Sequence, residues 1–188
     1  KLDRSGPLMM AVEGRLMEAG WRTSIEHVDV KPSQVAMTPE ESDFVRLNPR
    51  NLNTADILIK YKKFDEAAEI HRFLLKKHRS ELTPQPPKSG AREMVELLEI
   101  RHGILAKDFL FAGHFRRAFE CVNELPRGRL SLEATRAHAL MLANNTAEAK
   151  DIYLHYRGQT FEGRSWENFI RDDFRKLSRK GYSSPLMG

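Results

Sequence analysis

The sequence predicts an all-α fold built as an array of helical hairpins, and three observations carry that expectation. Three stretches share one spacing: Ala55, Leu58, Phe64 and Ala67; Ala106, Phe109, Gly113, Phe115 and Ala118; and Ala137, Leu140, Asn144, Ala149 and Tyr153. A small residue three positions before a large apolar one lies on the same helix face, a turn residue follows, and a second small residue opens the next apolar face. Small residues let two antiparallel helices approach closely, and the larger ones lock the contact. The prolines fall between these periodic segments, where a residue lacking an amide N–H ends helices rather than interrupting them. With about 40% hydrophobic and 30% charged residues in 188, the chain has the composition of a soluble globular protein able to bury a core.

Two regions follow from the pattern: an N-terminal segment over residues 1–50, and a repeat domain over 51–188. Pro7 suits the first turn of a helix over about 7–19, which Gly20 ends. Residues 21–38 alternate apolar and polar through Trp21, Thr23, Ile25 and His27, which fits either a short β-hairpin or an irregular arm. Thr38, Pro39, Glu40 and Glu41 form a helix start, with a hydroxyl cap, a first-turn proline and acids favoured by the helix dipole, so a brief helix over 39–46 is expected.

From residue 51 the helical period dominates. The first hairpin pairs helices over 51–61 and 64–78, the second ending in the cations Lys76, Lys77 and His78, which complement its negative end. The stretch TPQPPKSG over 83–90 is a loop. The second hairpin joins a long helix over 91–112 to a shorter one over 115–124, stopped by Pro126 and Gly128. The third joins 131–143 to 146–156, with Ser131 as its expected cap. A last helix over 165–180 carries Trp166, Phe169, Ile170, Phe174 and Leu177 on one stripe and Arg171, Asp172, Arg175 and Lys176 on the other, the pattern of a helix that closes the end of a stack.

The three units resemble tetratricopeptide repeats, most closely through Ala106, Phe109, Gly113, Phe115 and Ala118, next through YKKFDEAAEI at 61–70, and least through the third unit, which has Thr146 where an aromatic is expected. The spacing departs from the family: Phe64 to Phe115 is 51 residues and Phe115 to Thr146 is 31, against a period of about 34. The closing segment SWENFIRDDFRKLSRKGYSSPLM resembles capping regions of some bacterial members. The resemblance implies a non-enzymatic adaptor that holds a partner protein or peptide in a concave groove lined by the first helix of each hairpin. It places Asp56, Ile59, Lys60, Lys107, Leu110, Phe111, His138 and Met141 in that groove, with the lysines selecting acidic neighbours.

Other function classes fare less well. The seven histidines lack metal spacing, and no P-loop, GxSxG or dinucleotide fingerprint is present, so no catalytic residue, metal or cofactor is expected. Cys121 stands alone on an apolar helix face, which excludes an internal disulfide and favours an inert buried thiol. No stretch reaches the length of a membrane span and no signal peptide is visible, so a cytoplasmic location is the expectation, for a chain that starts at Lys1 and so reads equally as a fragment or a processed form. The net charge of +5 leaves nucleic-acid binding as the alternative, through Lys76, Lys77, Arg79, Arg116, Arg117, Arg127, Arg129, Arg171, Arg175, Lys176, Arg179 and Lys180.

Overall fold

Three hairpins close through one and the same backbone turn. In the computed structural model, which describes residues 36–83, 86, 88–161 and 163–187, they are α2 (Leu52–Lys60) with α3 (Phe64–Ser80), α4 (Ala91–Phe111) with α5 (Phe115–Asn123), and α6 (Leu130–Leu142) with α7 (Thr146–His155). The first helix of each pair ends on a left-handed residue, Lys62, Gly113 or Asn144. The following amide reaches back over the turn, Lys63 to the Leu58 carbonyl at 2.8 Å, His114 to Phe109 at 2.9 Å and Asn145 to Leu140 at 2.8 Å. These are Schellman closures, and they satisfy carbonyls that a helix end otherwise leaves orphaned. Gly113 and Asn144 tolerate positive φ by their chemistry; Lys62 adopts it because the hairpin packing on either side dictates the turn.

The small residues do what their spacing implies. Ala55, Ala67, Ala106, Ala118, Ala137 and Ala149, one per helix, are all 0% exposed. Beside them Leu58, Phe109 and Leu140, each three positions after the first alanine of its unit, sit in the same continuous core. Phe64 meets Phe109 edge to face at 5.4 Å, which stitches the first hairpin to the second.

Ahead of the hairpins lies α1 (Pro39–Leu47), with a full capping box: the Thr38 hydroxyl accepts from the Glu41 amide and the Glu41 carboxylate from the Thr38 amide. Lys60 and Tyr61 also donate to Glu41 and hold its carboxyl down to about 2. Thr54 caps the Asn48 carbonyl at 2.6 Å. These contacts tie α1 to α2, and Met37–Gly188 form one compact unit. The helix expected over 7–19 and residues 21–35 of the arm expected over 21–38 lie outside the described residues.

Two features produce the uneven repeat. Three of the eight residues in the TPQPPKSG stretch are proline, and α4 is 21 residues long, so its first half extends beyond the hairpin. That extension is held by Glu99, which pairs with Arg79 of α3 at 3.1 Å and Arg129 before α6 at 3.4 Å. Gly103 lets α6 come close, since a Cβ there would stand 2.5 Å from Leu132 Cδ2. The α6 helix starts at Leu130, without the expected Ser131 cap. Glu133 acts there instead: it accepts from the Gly128 amide at 2.9 Å and lies 2.5 Å from Arg136, whose guanidinium donates to the Val122 carbonyl at 2.8 Å.

After α7, a two-residue antiparallel pair, β1 (Thr160–Phe161) and β2 (Arg164–Ser165), leads into α8 (Trp166–Arg179), capped by Ser165 through the Asn168 amide. Trp166 is buried, donates its indole N–H to the Tyr153 carbonyl at 3.0 Å, and packs on Tyr156 and Phe169. The α8 helix ends in a fourth copy of the same turn, with left-handed Gly181 and Tyr182 bonded to Leu177 at 3.1 Å. Tyr182 then lies over Gly113 and against Phe115, so the C-terminal segment is clamped to the second hairpin. No helix among the described residues is long and apolar enough to cross a membrane.

Candidate functional site

The inner helices α2, α4 and α6 place the eight expected groove residues in three different environments. Leu110, His138 and Met141 are buried in the core, which corrects their assignment as partner contacts. The reason is packing: α6 is enclosed along its length from Leu132 to Met141, and α8 lies over the His138 face. Asp56 is paired with Arg101 of α4. Lys107 is paired with Asp173 of α8 at 3.1 Å, its ammonium 5.8 Å from the Phe111 ring and 5.5 Å from Phe169. Ile59 and Phe111 are half-buried, and Lys60 is exposed but engaged with Glu41. The lysines therefore offer a partner little uncompensated charge.

One residue that sequence reasoning passed over completes the surface. Ile104 is 49% exposed, a large value for an isoleucine in the middle of the longest helix. It precedes Lys107 by three residues and Phe111 by seven, so all three share one strip of α4. One turn beyond the Asp56–Arg101 pair on each helix stand Ile59 and Ile104. Asp108 adjoins the strip; burial pushes its carboxyl up to about 6, with Lys107 working the other way. The outcome is a shallow apolar strip whose flanking Asp56, Lys60 and Lys107 are already paired, with Asp108 beside it in no ion pair among the described residues.

Besides the Glu133–Arg136 pair, two clusters built around buried histidines have groups that could carry chemistry. In one, the His138 ring contacts the Tyr153 hydroxyl at 2.7 Å through Nδ1, while Nε2 stands 3.6 Å from Asp173. Burial would raise the Asp173 carboxyl, but His138, Lys107 and Lys176 outweigh it and hold the group below the usual carboxylate range. Burial likewise moves His138 down and Tyr153 up. A tyrosine, histidine and aspartate in line have the makings of a proton relay, yet all three face the α6–α8 contact and the tyrosine is held protonated. Their evident role is to fasten α8 to the array.

The other cluster joins His71 of α3, His102 of α4, Cys121 of α5 and Glu124. The histidine rings meet edge to face at 5.8 Å, and both nitrogens of His71 lack a hydrogen-bond partner. Burial pushes the Cys121 thiol up to about 11, so it is a poor nucleophile at neutral pH. Burial, with His102 and Arg101 adding to it, pushes His71 down to about 3. Above pH 6.5 the ring is neutral in both folded and unfolded chains. Below it the unfolded chain takes up a proton that the folded one refuses, and stability falls by about 2 kcal/mol at pH 5 from this residue alone. Urea unfolding at pH 7 and pH 5 should show a smaller acid loss for His71→Phe than for the parent; equal losses would contradict this assignment.

Among the described residues no group of three or more His, Cys, Asp or Glu side chains is disposed to hold a metal ion. Two open clefts, of about 350 Å³ beside Gly113 and Arg116 and about 370 Å³ between Val45, Arg50 and Phe73, bring together no acid–base pair or activated nucleophile. Comparison of the chain with protein-family models, curated proteins and solved structures finds no match.

Proposed function

We propose that residues 37–188 form a non-enzymatic, tetratricopeptide-like adaptor that docks another protein or peptide along the exposed strip of α4. The single observation that supports this most is Ile104, an exposed aliphatic side chain aligned with Lys107 and Phe111 and flanked by Ile59. Apolar anchors beside lysines that are already paired supply burial without stranding those cations. The partner that fits offers an apolar residue in a helical or extended segment, rather than the acidic sequence that unpaired lysines would select.

A broad basic face is less well supported. Arg79, Arg116, Arg117, Arg127 and Arg129 all pair with Glu or Asp side chains of the array.

Affinity capture from the source organism, read by mass spectrometry, tests the docking reading. Ile104→Asp and Phe111→Ala, both on partly exposed positions, should each reduce partner recovery about tenfold or more while leaving the circular dichroism spectrum unchanged. Lys107 is a poor probe, because its removal also strips Asp173 of a partner. Undiminished recovery of every partner by both folded variants would contradict the reading.

A further inference from the structure

We infer that the outward face of α8 binds the phosphate backbone of double-stranded nucleic acid without regard to sequence. The surface is distinct from the α4 strip and does not rest on the protein-docking reading. Arg171, Arg175, Lys176, Arg179 and Lys180 are all exposed along a helix of 14 residues, about 21 Å at 1.5 Å per residue.

The acids of α8 offset only two of them, Arg175 and Lys176. Asp173 is turned inward onto Lys107 and His138 and also holds Lys176 at 3.1 Å, and Glu167 accepts from the Gly158 amide at 2.9 Å. Asp172 alone remains outside, 3.0 Å from Arg175. Among the described residues no carboxylate lies within ion-pairing distance of Arg171, Arg179 or Lys180. The helix dipole accounts for cations in the last turn, Lys176 and Arg179, but not for Arg171 in the second. Arg171, Arg175 and Arg179 follow one another at four-residue intervals, so each repels the next. A polyanion laid along the helix removes that repulsion and releases its own counterions.

The chemistry of the other face selects among polyanions. Trp166, Phe169, Ile170 and Leu177 are consumed in packing, so α8 has no apolar side free to enter a membrane. The same burial leaves no aromatic platform on which unpaired bases stack. No apolar anchor stands among the exposed cations to hold an acidic protein. What remains is a row of charges suited to a regular phosphate lattice.

Fluorescence anisotropy of the full chain with a labelled DNA duplex of about 20 base pairs, between 25 and 200 mM NaCl, tests the proposal. Binding should weaken with salt, with log K against log salt falling at about −3.6 for four phosphate contacts. Arg171→Gln with Arg179→Gln should weaken binding at least about tenfold and flatten that slope by about two. Lys76→Gln with Lys77→Gln, which removes equal charge from α3, should change affinity less than about twofold. The proposal is overturned by no binding at 25 mM salt, by equal weakening from the two charge-matched pairs, or by tighter binding to a single strand, to polyglutamate or to phosphatidylserine vesicles than to the duplex.

Discussion

Glu133→Ala should lower the unfolding free energy by about 3–5 kcal/mol, because it leaves a guanidinium buried with no counter-charge. Arg136 is 0% exposed and Glu133 2%, and the Nε of Arg136 already lacks a hydrogen-bond partner. Removal of the carboxylate would leave Arg136 with the Val122 carbonyl as its remaining described contact, and would free the Gly128 amide as well. The pair itself is a different matter. Two charges taken from water together lose hydration that their attraction only partly restores, so Glu133→Leu combined with Arg136→Met should fall within about 1 kcal/mol of the parent. Urea denaturation of the two variants checks both statements. A single variant that costs less than about 1 kcal/mol would mean that Arg136 finds water or another anion.

Trp166→Ala should cost a similar amount, about 3–5 kcal/mol, but in a different place. Trp166 anchors the start of α8 through its indole hydrogen bond to Tyr153 and its ring contacts with Tyr156 and Phe169. A stacked helical array needs a closing element with one polar face, and α8 has that form. Loss of the anchor should therefore open residues 160–187 before the hairpins. Hydrogen exchange should show early deuteration of α8 with the α2–α5 amides still protected, together with a drop in urea midpoint. Uniform acceleration across the chain, or no change in α8, would mean that the Asp173 contacts hold the helix without the tryptophan.

The fold was legible because its main requirement is steric. Antiparallel helices at close range demand small residues at fixed points, and Ala55, Ala67, Ala106, Ala118, Ala137 and Ala149 announce those points without any knowledge of neighbours. Turns were legible where chemistry marks them, at Gly113 and Asn144. Lys62 carries no such mark; its left-handed conformation is dictated by packing on either side. The buried Glu133–Arg136 pair was missed because two charges three residues apart usually mark a solvated face, and burial of both depends on α5 and the α5–α6 connection.

The candidate surface was less legible, for a geometric reason. Transfer of groove positions from the resemblance assumed that every inner helix faces open space. In this chain α8 returns over α6, so His138 and Met141 lie in the interior and Asp173 reaches Lys107. Leu110 points into the core for the ordinary helical reason, one residue away from half-buried Phe111. Ile104 was hidden because an apolar residue in an apolar helix attracts no notice. Its seven-residue separation from Phe111 was the available signal.

The most direct test of the docking account is site-specific photocrosslinking in the source organism, with a photoreactive amino acid at Ile104 and, as a control, at Leu154, which is also exposed but lies on α7. The account predicts a discrete crosslinked partner from position 104, lost when Phe111→Ala is added, and none from position 154. The same crosslinks from both positions, or none from 104, would contradict it.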